Sequence, residues 1–216
     1  GTSYSGKTIV LTQDIDLNNE EWTPIGIDFT NAFCGTFDGM NHTIYNLKVN
    51  KSKDAALFGE VNGSIKNIKV ENANICGNDY VAVIVGKTWG SVTGCSVKNA
   101  TITANPYAKV EGGTEYDGGA KAGAIVGYKA DGTNEISNNT VENVTISAYR
   151  DLGGIVGYAQ GATTVSGNTV KGLTLNYITI PSGYTYDSGT TNSNMGRFVG
   201  RQDANLISSN NTDLDA

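Results

Sequence analysis

The sequence predicts an all-β fold, a parallel β-helix of about six coils, and three observations support this prediction. A unit that begins Leu-Phe-Gly or Ile-Val-Gly recurs along the 216-residue chain. The unit glycines are 27 residues apart at Gly59 and Gly86, and 30 residues apart at Gly127 and Gly157. These lengths suit three short strands with their turns. Within each unit β-branched residues alternate with polar ones, and no helical period of 3.6 residues is present.

We expect residues 1–216 to form one domain, with an N-terminal cap at residues 1–36 and repeat coils at residues 37–214. The cap region does not follow the repeat and contains two candidate strands, 8–11 and 15–17. Bulky apolar side chains can cover the open first coil of a solenoid. Those available here are Trp22, Pro24, Ile25, Phe33 and Phe37.

Aligning the units predicts which side chains face the core. Three aliphatic columns result, and their stacking should supply most of the stability, at about 25 cal/mol per Å² of apolar area buried. The columns are Ile44, Ile65, Val92, Ile136, Val165 and Ile207; Val49, Val70, Val97, Val141, Val170 and Thr212; and Ile75, Ile102, Ile146 and Leu175.

Two further columns contain mainly asparagine and glycine, the residues that most readily adopt the left-handed backbone conformation. We therefore predict two corners in each coil. The first column is Asn46, Asn67, Gly94, Asn138, Gly167 and Ser209, and the second is Asn72, Asn99, Asn143 and Gly172. Between the corners an inward column ends in Asn139, Asn168 and Asn210, for which we predict a buried ladder of paired amides.

An outward column should fix the register of the coils. It reads Glu71, Lys98, Glu142 and Lys171. Opposite charges on adjacent strands attract modestly, by about 0.2–1 kcal/mol per pair. We interpret this column as a register device and not as a binding site.

Composition and motifs exclude several classes of function. The formal net charge is −6 and the pI is about 4.7, so no basic patch is available for nucleic acid or an anionic membrane. No apolar run is long enough to cross a bilayer. No P-loop, HExxH or GxSxG motif occurs. We expect no nucleic-acid partner, no membrane insertion by this chain, no cofactor and no catalytic residue.

Metal and disulfide sites are not expected either. His42 is the single histidine and has no evident partner in the sequence. Asp14 and Asp16 share a face, which we interpret as solvated rather than as a cation site. The cysteines are Cys34, Cys76 and Cys95. They lie in different units without a CxxC motif, so we interpret them as small buried apolar residues, with a Cys76–Cys95 bridge as the alternative.

Two long insertions interrupt the repeat at the same corner of every second unit. They span residues 104–122 and 177–195. Neighbouring parallel strands are about 4.8 Å apart, so loops two coils apart should lie about 10 Å from each other. Loops on a rigid scaffold often bind ligands, and tyrosine offers a flat surface with a polar tip, although the loops could also merely cover a sheet. The candidate binding residues are Tyr107, Tyr116, Asp117, Tyr184, Tyr186 and Asp187.

Several segments resemble the GLUG-type repeat. They are EWTPIG (21–26), FCGTFDGMNHTIYNL (33–47), LFGEVNGSIKNIKV (57–70) and the Ile-Val-Gly-Tyr motifs (125–128 and 155–158). That repeat occurs in large bacterial surface proteins, including proteins assigned as adhesins and the non-catalytic region of immunoglobulin A metallopeptidases. The resemblance covers nearly the whole chain. It implies a right-handed parallel β-helix, a secreted or cell-surface location outside a Gram-negative outer membrane, and a role in attachment.

The sequence leads to one favoured function and two alternatives. We expect a monomeric, adhesin-like binding module that recognises a glycan or a protein of a host or bacterial surface. The first alternative is a carbohydrate-active enzyme, a polysaccharide lyase or hydrolase, with Asp117 and Asp187 facing each other across the loops. The second is a structural stalk of a larger surface protein, for which the long loops would be dispensable.

Overall fold

The structure is a computed structural model and describes residues 3–106, 108–111, 114–117, 120–179, 194–203 and 205–216. Of residues 108–111 and 114–117 it describes the backbone alone. Within these ranges the regular secondary structure is β-strand, and there is no helix that could span a membrane.

The strands form four parallel sheets, called faces 1 to 4, and one antiparallel hairpin. Face 1 contains β1 (Thr8–Val10), β3 (Thr36–Asp38), β7 (Ser64–Lys66), β12 (Ser91–Thr93), β18 (Glu135–Ser137), β22 (Thr164–Ser166) and β26 (Ile207–Ser209). Face 2 contains β2 (Ile15–Asp16), β4 (Thr43–Tyr45), β5 (Lys48–Asn50), β8 (Lys69–Glu71), β9 (Asn74–Gly77), β13 (Ser96–Ala104), β19 (Thr140–Ala148), β23 (Thr169–Tyr177) and β27 (Thr212–Asp213). Face 3 contains β10 (Val81–Ala82), β16 (Lys121–Gly123), β20 (Asp151–Gly153) and β24 (Asn194–Gly196). Face 4 contains β6 (Phe58–Val61), β11 (Val85–Thr88), β17 (Val126–Lys129), β21 (Val156–Ala159) and β25 (Val199–Gln202), and the hairpin consists of β14 (Ala108–Glu111) and β15 (Thr114–Asp117).

Each strand of the four faces pairs in parallel with the strand at the same position one coil later. In face 1, Val92 pairs with Ile136, and in face 2, Val97 pairs with Val141. From β7 onwards the chain visits faces 1, 2, 3 and 4 in turn before it returns to face 1. This arrangement is a parallel β-helix, and it confirms the predicted all-β fold class.

The N-terminal region begins the solenoid as well as covering its end. Strand β1 pairs with β3 and β2 pairs with β4, both in parallel, and Ile25 forms a parallel bridge with Phe58 of face 4. The region predicted as a cap therefore supplies a first coil of its own. Its large side chains cover the core, because Phe33 is buried with its ring centroid 5.6 Å from that of Phe58, and Trp22 packs on the same cluster.

The core columns have the predicted register in the central coils. The third column, Ile75, Ile102, Ile146 and Leu175, pairs in succession along face 2, and Val49 precedes it. The central members of the first column, Ile65, Val92, Ile136 and Val165, pair in succession along face 1. These side chains are buried, apart from the half-buried Leu175, and form one continuous apolar core.

The alignment is wrong for the half-unit that begins at Phe37. Ile44 pairs with Val70 and Val49 pairs with Ile75, so each lies one column away from its predicted place. Phe37 pairs with Ile65 and occupies the first column in place of Ile44. The reason is that Asn46 lies at the second corner of its coil and not at the first, with its backbone N–H bonded to the carbonyl of Glu71.

The alignment is also displaced by one residue in the last coil. Ile207 pairs with Thr164 and is 56% exposed, although it was predicted to follow Val165 in the core. Thr212 pairs with Thr169, one position away from its predicted column. The last coil keeps the register of its face 4 strand, β25. The alignment of the sequence units omitted one residue after β25, so the later predicted positions are displaced by one.

Backbone angles confirm both predicted corners. The first corner has positive φ at Asn67 (53°), Gly94 (64°), Asn138 (56°) and Gly167 (65°), and the second has positive φ at Asn72 (59°), Asn99 (53°), Asn143 (53°) and Gly172 (61°). In the last coil the residue with positive φ is Asn210 (55°), and not the predicted Ser209. Asparagine and glycine occupy these corners because they reach the left-handed region at the lowest cost.

The buried asparagine ladder is present, with Asn211 in place of the predicted Asn210. The Nδ2 atom of Asn139 donates to Oδ1 of Asn168 at 3.0 Å, and Nδ2 of Asn168 donates to Oδ1 of Asn211 at 3.0 Å. The oxygens also accept from backbone N–H groups of the preceding coil: Cys95 N lies 2.9 Å from Oδ1 of Asn139, and Asn139 N lies 2.9 Å from Oδ1 of Asn168. Each amide thus ties two coils together.

His42, for which the sequence indicated no partner, has one. Its Nδ1 atom lies 3.1 Å from Oδ1 of Asp14, and the same oxygen accepts a hydrogen bond of 2.8 Å from the backbone N–H of Thr43. These two hydrogen bonds, that of Thr43 first, lower the pKa of Asp14. The contact joins the first two coils. The sequence did not indicate it, because the first coil does not follow the repeat.

All three cysteines are free, so the alternative of a Cys76–Cys95 bridge is not realised. Cys95 is buried, as predicted, and occupies the inward column directly before the asparagine ladder. Cys34 and Cys76 are only half-buried, because they lie beyond the tightly packed interior. The interior therefore holds one thiol.

Candidate functional site

The two long insertions leave the solenoid at the corner between faces 2 and 3. At the end of face 2, Ala104, Ala148 and Tyr177 are paired neighbours, and at the start of face 3, Lys121, Asp151 and Asn194 are paired neighbours. Residues 105–120 and 178–193 connect these two sets in alternate coils, whereas only Tyr149 and Arg150 connect them in the coil between. Both insertions therefore share one corner, two coils apart, as the spacing predicts.

The predicted binding residues lie largely outside the described residues. Tyr107 does so in the first insertion, and Tyr184, Tyr186 and Asp187 do so in the second. The other two candidates, Tyr116 and Asp117, belong to β15, where their backbones pair with those of Lys109 and Ala108 in β14. The first insertion thus contains a β-hairpin, and the assignment of these residues to a binding site stays a prediction.

A stack of three tyrosine rings lies near the corner from which the insertions emerge; we call Tyr80, Tyr128 and Tyr158 the tyrosine ladder. The rings of Tyr80 and Tyr128 have centroids 5.2 Å apart at an interplanar angle of 18°, and those of Tyr128 and Tyr158 are also 5.2 Å apart, at 33°. Tyr80 precedes β10 and has a φ of 56°, which is unusual for a bulky residue. The ladder therefore ties face 3 to face 4.

The tyrosine ladder has little free ring surface, because its ends and tips are occupied. Arg201 lies 4.5 Å from the ring centroid of Tyr158. The Tyr158 hydroxyl donates to Asp203 at 3.1 Å, and the Tyr128 hydroxyl bonds to Gln160. Such ring pairs contribute about 0.5–1.5 kcal/mol each beyond their area burial, so we interpret the ladder as a clamp between coils. The repeated Ile-Val-Gly-Tyr motif was the sequence signal for Tyr128 and Tyr158, whereas Tyr80 lies outside that motif.

Three buried carboxylates alternate with three lysines around Tyr80. We call them the charged cluster: Asp54, Glu60, Asp79, Lys53, Lys87 and Lys121. Lys53 Nζ lies 3.8 Å from Oδ2 of Asp54 and 3.8 Å from Oε1 of Glu60. Among the described residues, no group of three or more histidine, cysteine, aspartate or glutamate side chains is arranged to hold a metal ion. The three carboxylates are instead paired with the three lysines of the cluster.

Asp54 has the most strongly altered chemistry in the charged cluster. Burial raises its pKa to about 7, and repulsion by Glu60 and Asp79 acts in the same direction against the attraction of Lys53. Asp54 is 4% exposed, so the charged form loses most of its hydration. At neutral pH this carboxyl group is therefore close to half-protonated.

Asp54→Asn is expected to stabilise the protein at pH 8. The folded-state pKa of about 7 lies above the ordinary 3.8, so between these values the folded protein binds more protons than the unfolded chain. The contribution of protonated Asp54 is fully present below pH 3.8 and is lost as pH rises through 7. Guanidinium unfolding should therefore show a gain of about 2 kcal/mol at pH 8 and little change at pH 4.

Asp16→Asn is the matched control for this experiment. Asp16 is exposed, and hydrogen bonds from Asn18 and Asn46 lower its pKa, so its ionised form stabilises the fold. The control variant should lose stability at pH 8, which is the opposite sign. An Asp54 variant with the same difference from the native protein at both pH values would contradict the assignment of a raised pKa.

Similar proteins were found by sequence and by structure, while no family model matches the chain. A stretch of 97 residues is 35% identical to halomucin of Haloquadratum walsbyi; it covers 39% of this chain and 1% of halomucin. The crystal structure of a candidate immunoglobulin A1 protease from Bacteroides ovatus is 18% identical, with a TM-score of 0.47, and the match covers 92% of this chain and 78% of that one. What is established for this chain is its parallel β-helix and its sequence similarity to a short part of halomucin.

Proposed function

We propose that this protein is a non-enzymatic binding module of a cell-surface or secreted protein and that it recognises a glycan or a protein through its two long loops. On the motif resemblance, we place it among GLUG-type repeat proteins with a role in attachment. In this proposal the solenoid is a rigid support, and the binding residues are those of the insertions.

The observation that carries the proposal is the shared corner of the two insertions. Residues 105–120 and 178–193 emerge from the same corner two coils apart, which is about 10 Å for parallel strands. The core is fully buried beside the first insertion, at Ile102 and Ala104, so the base of that loop is firmly held. Beside the second insertion Leu175 is half-buried and Tyr177 is 48% exposed. A rigid scaffold with long adjacent loops is a common arrangement of binding proteins.

The sequence comparison supports the location that we propose. The similarity of part of this chain to halomucin is compatible with a surface or secreted location. The acidic composition favours solubility at a surface and disfavours nucleic acid as a partner.

The two alternative functions make different demands on the loops. A carbohydrate-active enzyme would need Asp117 and Asp187 to converge, and their side chains lie outside the described part of the chain. A stalk would need neither loop. The experiment below distinguishes all three functions.

Shortening both loops should abolish binding to the glycan or protein partner. In the variant, residues 105–120 and 178–193 are each replaced by the Tyr-Arg connection that the intermediate coil uses. The native protein and the variant are compared by biolayer interferometry on a panel of glycans and matrix proteins. We expect the dissociation constant of the bound partner to rise at least about a hundredfold, because the contacts made by the loops are removed.

Thr140→Ala is the matched control, because Thr140 is exposed at the start of β19, at the end of face 2 opposite to the loop corner. The control should bind as the native protein does, and circular dichroism should show an intact β-sheet in both variants. Unchanged binding after loop shortening would contradict the proposal. Release of new reducing ends from a polysaccharide would favour the enzyme, and failure of the native protein to bind any partner would favour the stalk.

A further inference from the structure

One lysine and one aspartate of the charged cluster are in direct contact across two coils. Nζ of Lys121 donates to Oδ1 of Asp79 at 3.0 Å, whereas the other lysine–carboxylate distances in the cluster are 3.8 or 3.9 Å. Lys121 is the first residue of β16, which pairs with β10 of the preceding coil, and Asp79 comes shortly before β10. The contact is therefore a joint between successive coils.

This joint is shielded from water. The side chain of Asp79 is 9% exposed and that of Lys121 is 17% exposed. The ring of Tyr80 has its centroid 4.9 Å from Nζ of Lys121, and its own stacking on Tyr128 holds it in place. The ammonium and the carboxylate thus lose much of the hydration that stabilises two charges at a protein surface.

The ionised state of the pair has two free-energy costs. Burial of an ion pair removes hydration from both partners, and their attraction offsets this loss only in part. Besides burial, repulsion by Asp79 raises the pKa of Asp54, and the same repulsion acts on the charge of Asp79. An uncharged link between Lys121 and Asp79 would remove both costs, because an amide carries no net charge.

The backbone holds the two reacting groups together. Asp54 N donates to the carbonyl of Asp79 at 3.1 Å, and Ala122, next to Lys121, pairs with Val81. Groups held in contact in this way react as if at an effective concentration of about 10⁵–10⁸ M. Condensation of an amine with a carboxyl group, which is unfavourable between separate molecules in dilute solution, can therefore proceed within the folded chain.

We propose that Lys121 and Asp79 form an isopeptide bond, so that two successive coils are joined covalently and the first insertion is enclosed between the joined residues. All three cysteines are free, so this bond would supply a covalent cross-link that the cysteines do not. It would keep the base of the first insertion attached to the preceding coil. The inference does not rest on the insertions being a binding surface.

The reaction is a condensation without an oxidant or a cofactor. A proton passes from Nζ of Lys121 to the Asp79 carboxylate along their hydrogen bond, which leaves an amine and a carboxylic acid. The nitrogen lone pair attacks Cγ of Asp79, the N–C bond forms and the carbon becomes tetrahedral. A second proton then moves from the nitrogen to a carboxyl oxygen, whose C–O bond breaks to release water. One ammonium and one carboxylate become one amide and one water.

Lys53 provides a comparison within the same cluster. Its Nζ atom lies 3.8 Å from oxygens of Asp54 and Glu60, beyond hydrogen-bond distance, and its side chain is 55% exposed. Water competes for this ammonium group, and no hydrogen bond provides a path for its proton. We therefore expect Lys53 to remain unreacted.

The first test is the mass of the intact 216-residue protein, measured by electrospray ionisation under denaturing conditions. We expect the native protein to be lighter than its sequence by one water molecule. Lys121→Arg and Asp79→Ala should each have the full mass of their sequences, because either change removes one reacting group. Lys53→Arg is the matched control and should keep the loss of one water. Circular dichroism verifies that each variant is folded.

The second test locates the bond. A specific protease site is inserted after Glu111, between the two strands of the hairpin, and the folded protein is cleaved there. On a reducing denaturing gel the cleaved native protein should remain one band, because the bond between Lys121 and Asp79 joins the fragments. The cleaved Lys121→Arg variant should give two bands.

Either of two results would overturn the proposal. The first is a native protein that has the full mass of its sequence and gives two bands after cleavage, which needs no variant to interpret. The second is a loss of water that persists in Lys121→Arg, since the dehydration would then belong to other residues. Binding by the loops can be present or absent in either case, so this test and that of the proposed function are independent.

Discussion

Asn168→Ala should destabilise the protein by about 3–5 kcal/mol. Oδ1 of Asn168 accepts from the backbone N–H of Asn139 at 2.9 Å and from its side chain at 3.0 Å. Nδ2 of Asn168 donates to the carbonyl of Ile136 at 3.0 Å and to Asn211 at 3.0 Å. Alanine removes all four hydrogen bonds and leaves buried donors and acceptors of three coils without partners, which costs more than the bonds themselves contribute.

The measurement is the free energy of unfolding in guanidinium chloride. Asn176→Ala, at an exposed position in β23, is the matched control and should change the free energy by less than about 0.5 kcal/mol. The double variant with Asn139→Ala should be more stable than the sum of the single effects predicts, because the two amides share hydrogen bonds. Additive effects, or a loss below about 1 kcal/mol for Asn168→Ala, would show that the ladder is not a coupled network.

Gly90→Ala should have the largest effect of any single substitution considered for this protein. A Cβ atom at Gly90 would lie 1.6 Å from the carbonyl oxygen of Gly63, and a Cβ at Gly63 would lie 1.9 Å from that of Gly35. These glycines stack in the turn between faces 4 and 1, where the backbones of successive coils touch. The clash is with backbone, so it can be relieved only by separating the coils and breaking the hydrogen bonds between them.

We expect Gly90→Ala to lower the free energy of unfolding by more than about 4 kcal/mol or to prevent folding. Gly6→Ala is the control: its Cβ would meet no atom within 4 Å, and its φ of 68° predicts a loss of only about 1 kcal/mol. Soluble yield and thermal unfolding followed by circular dichroism distinguish the two variants. Equal melting temperatures would mean that the coils are less closely packed at Gly90 than the structure shows.

The fold could be predicted because each coil repeats the same short strands and the same two corners. Corner residues such as Asn72 and Asn99 have one backbone requirement in every copy, so their alignment alone located both corners. The alignment failed where the repeat is incomplete. In the half-unit at Phe37, Asn46 could be aligned with either of the two corners, because the half-unit contains too few columns to decide between them. The alignment assigned Asn46 to the first corner, whereas it lies at the second.

The candidate sites were harder to predict than the fold, since their residues do not repeat. Asp54, Glu60 and Asp79 occupy different positions within their coils, and only the winding of the chain brings them around Tyr80. The insertion corner, by contrast, was predictable because counting residues between conserved columns is independent of side-chain contacts.

From Asn67 onwards, the first corner and the charge column alternate with a period of two coils, whereas the second corner, with Asn72, Asn99 and Asn143 in succession, does not alternate. Asn67 is followed by Gly94 and Asn138 by Gly167, and the asparagine side chains occupy the space where the next residue would carry its Cβ, at 2.8 Å and 2.5 Å. The column of Glu71, Lys98, Glu142 and Lys171 alternates in the same phase, as do the long insertions. Adding or deleting one coil would bring like charges together and would break the alternation of asparagine and glycine at the first corner. Adding or deleting two coils preserves every match, so a gene for such a protein can lengthen or shorten by pairs, and each added pair brings another long loop to the same side.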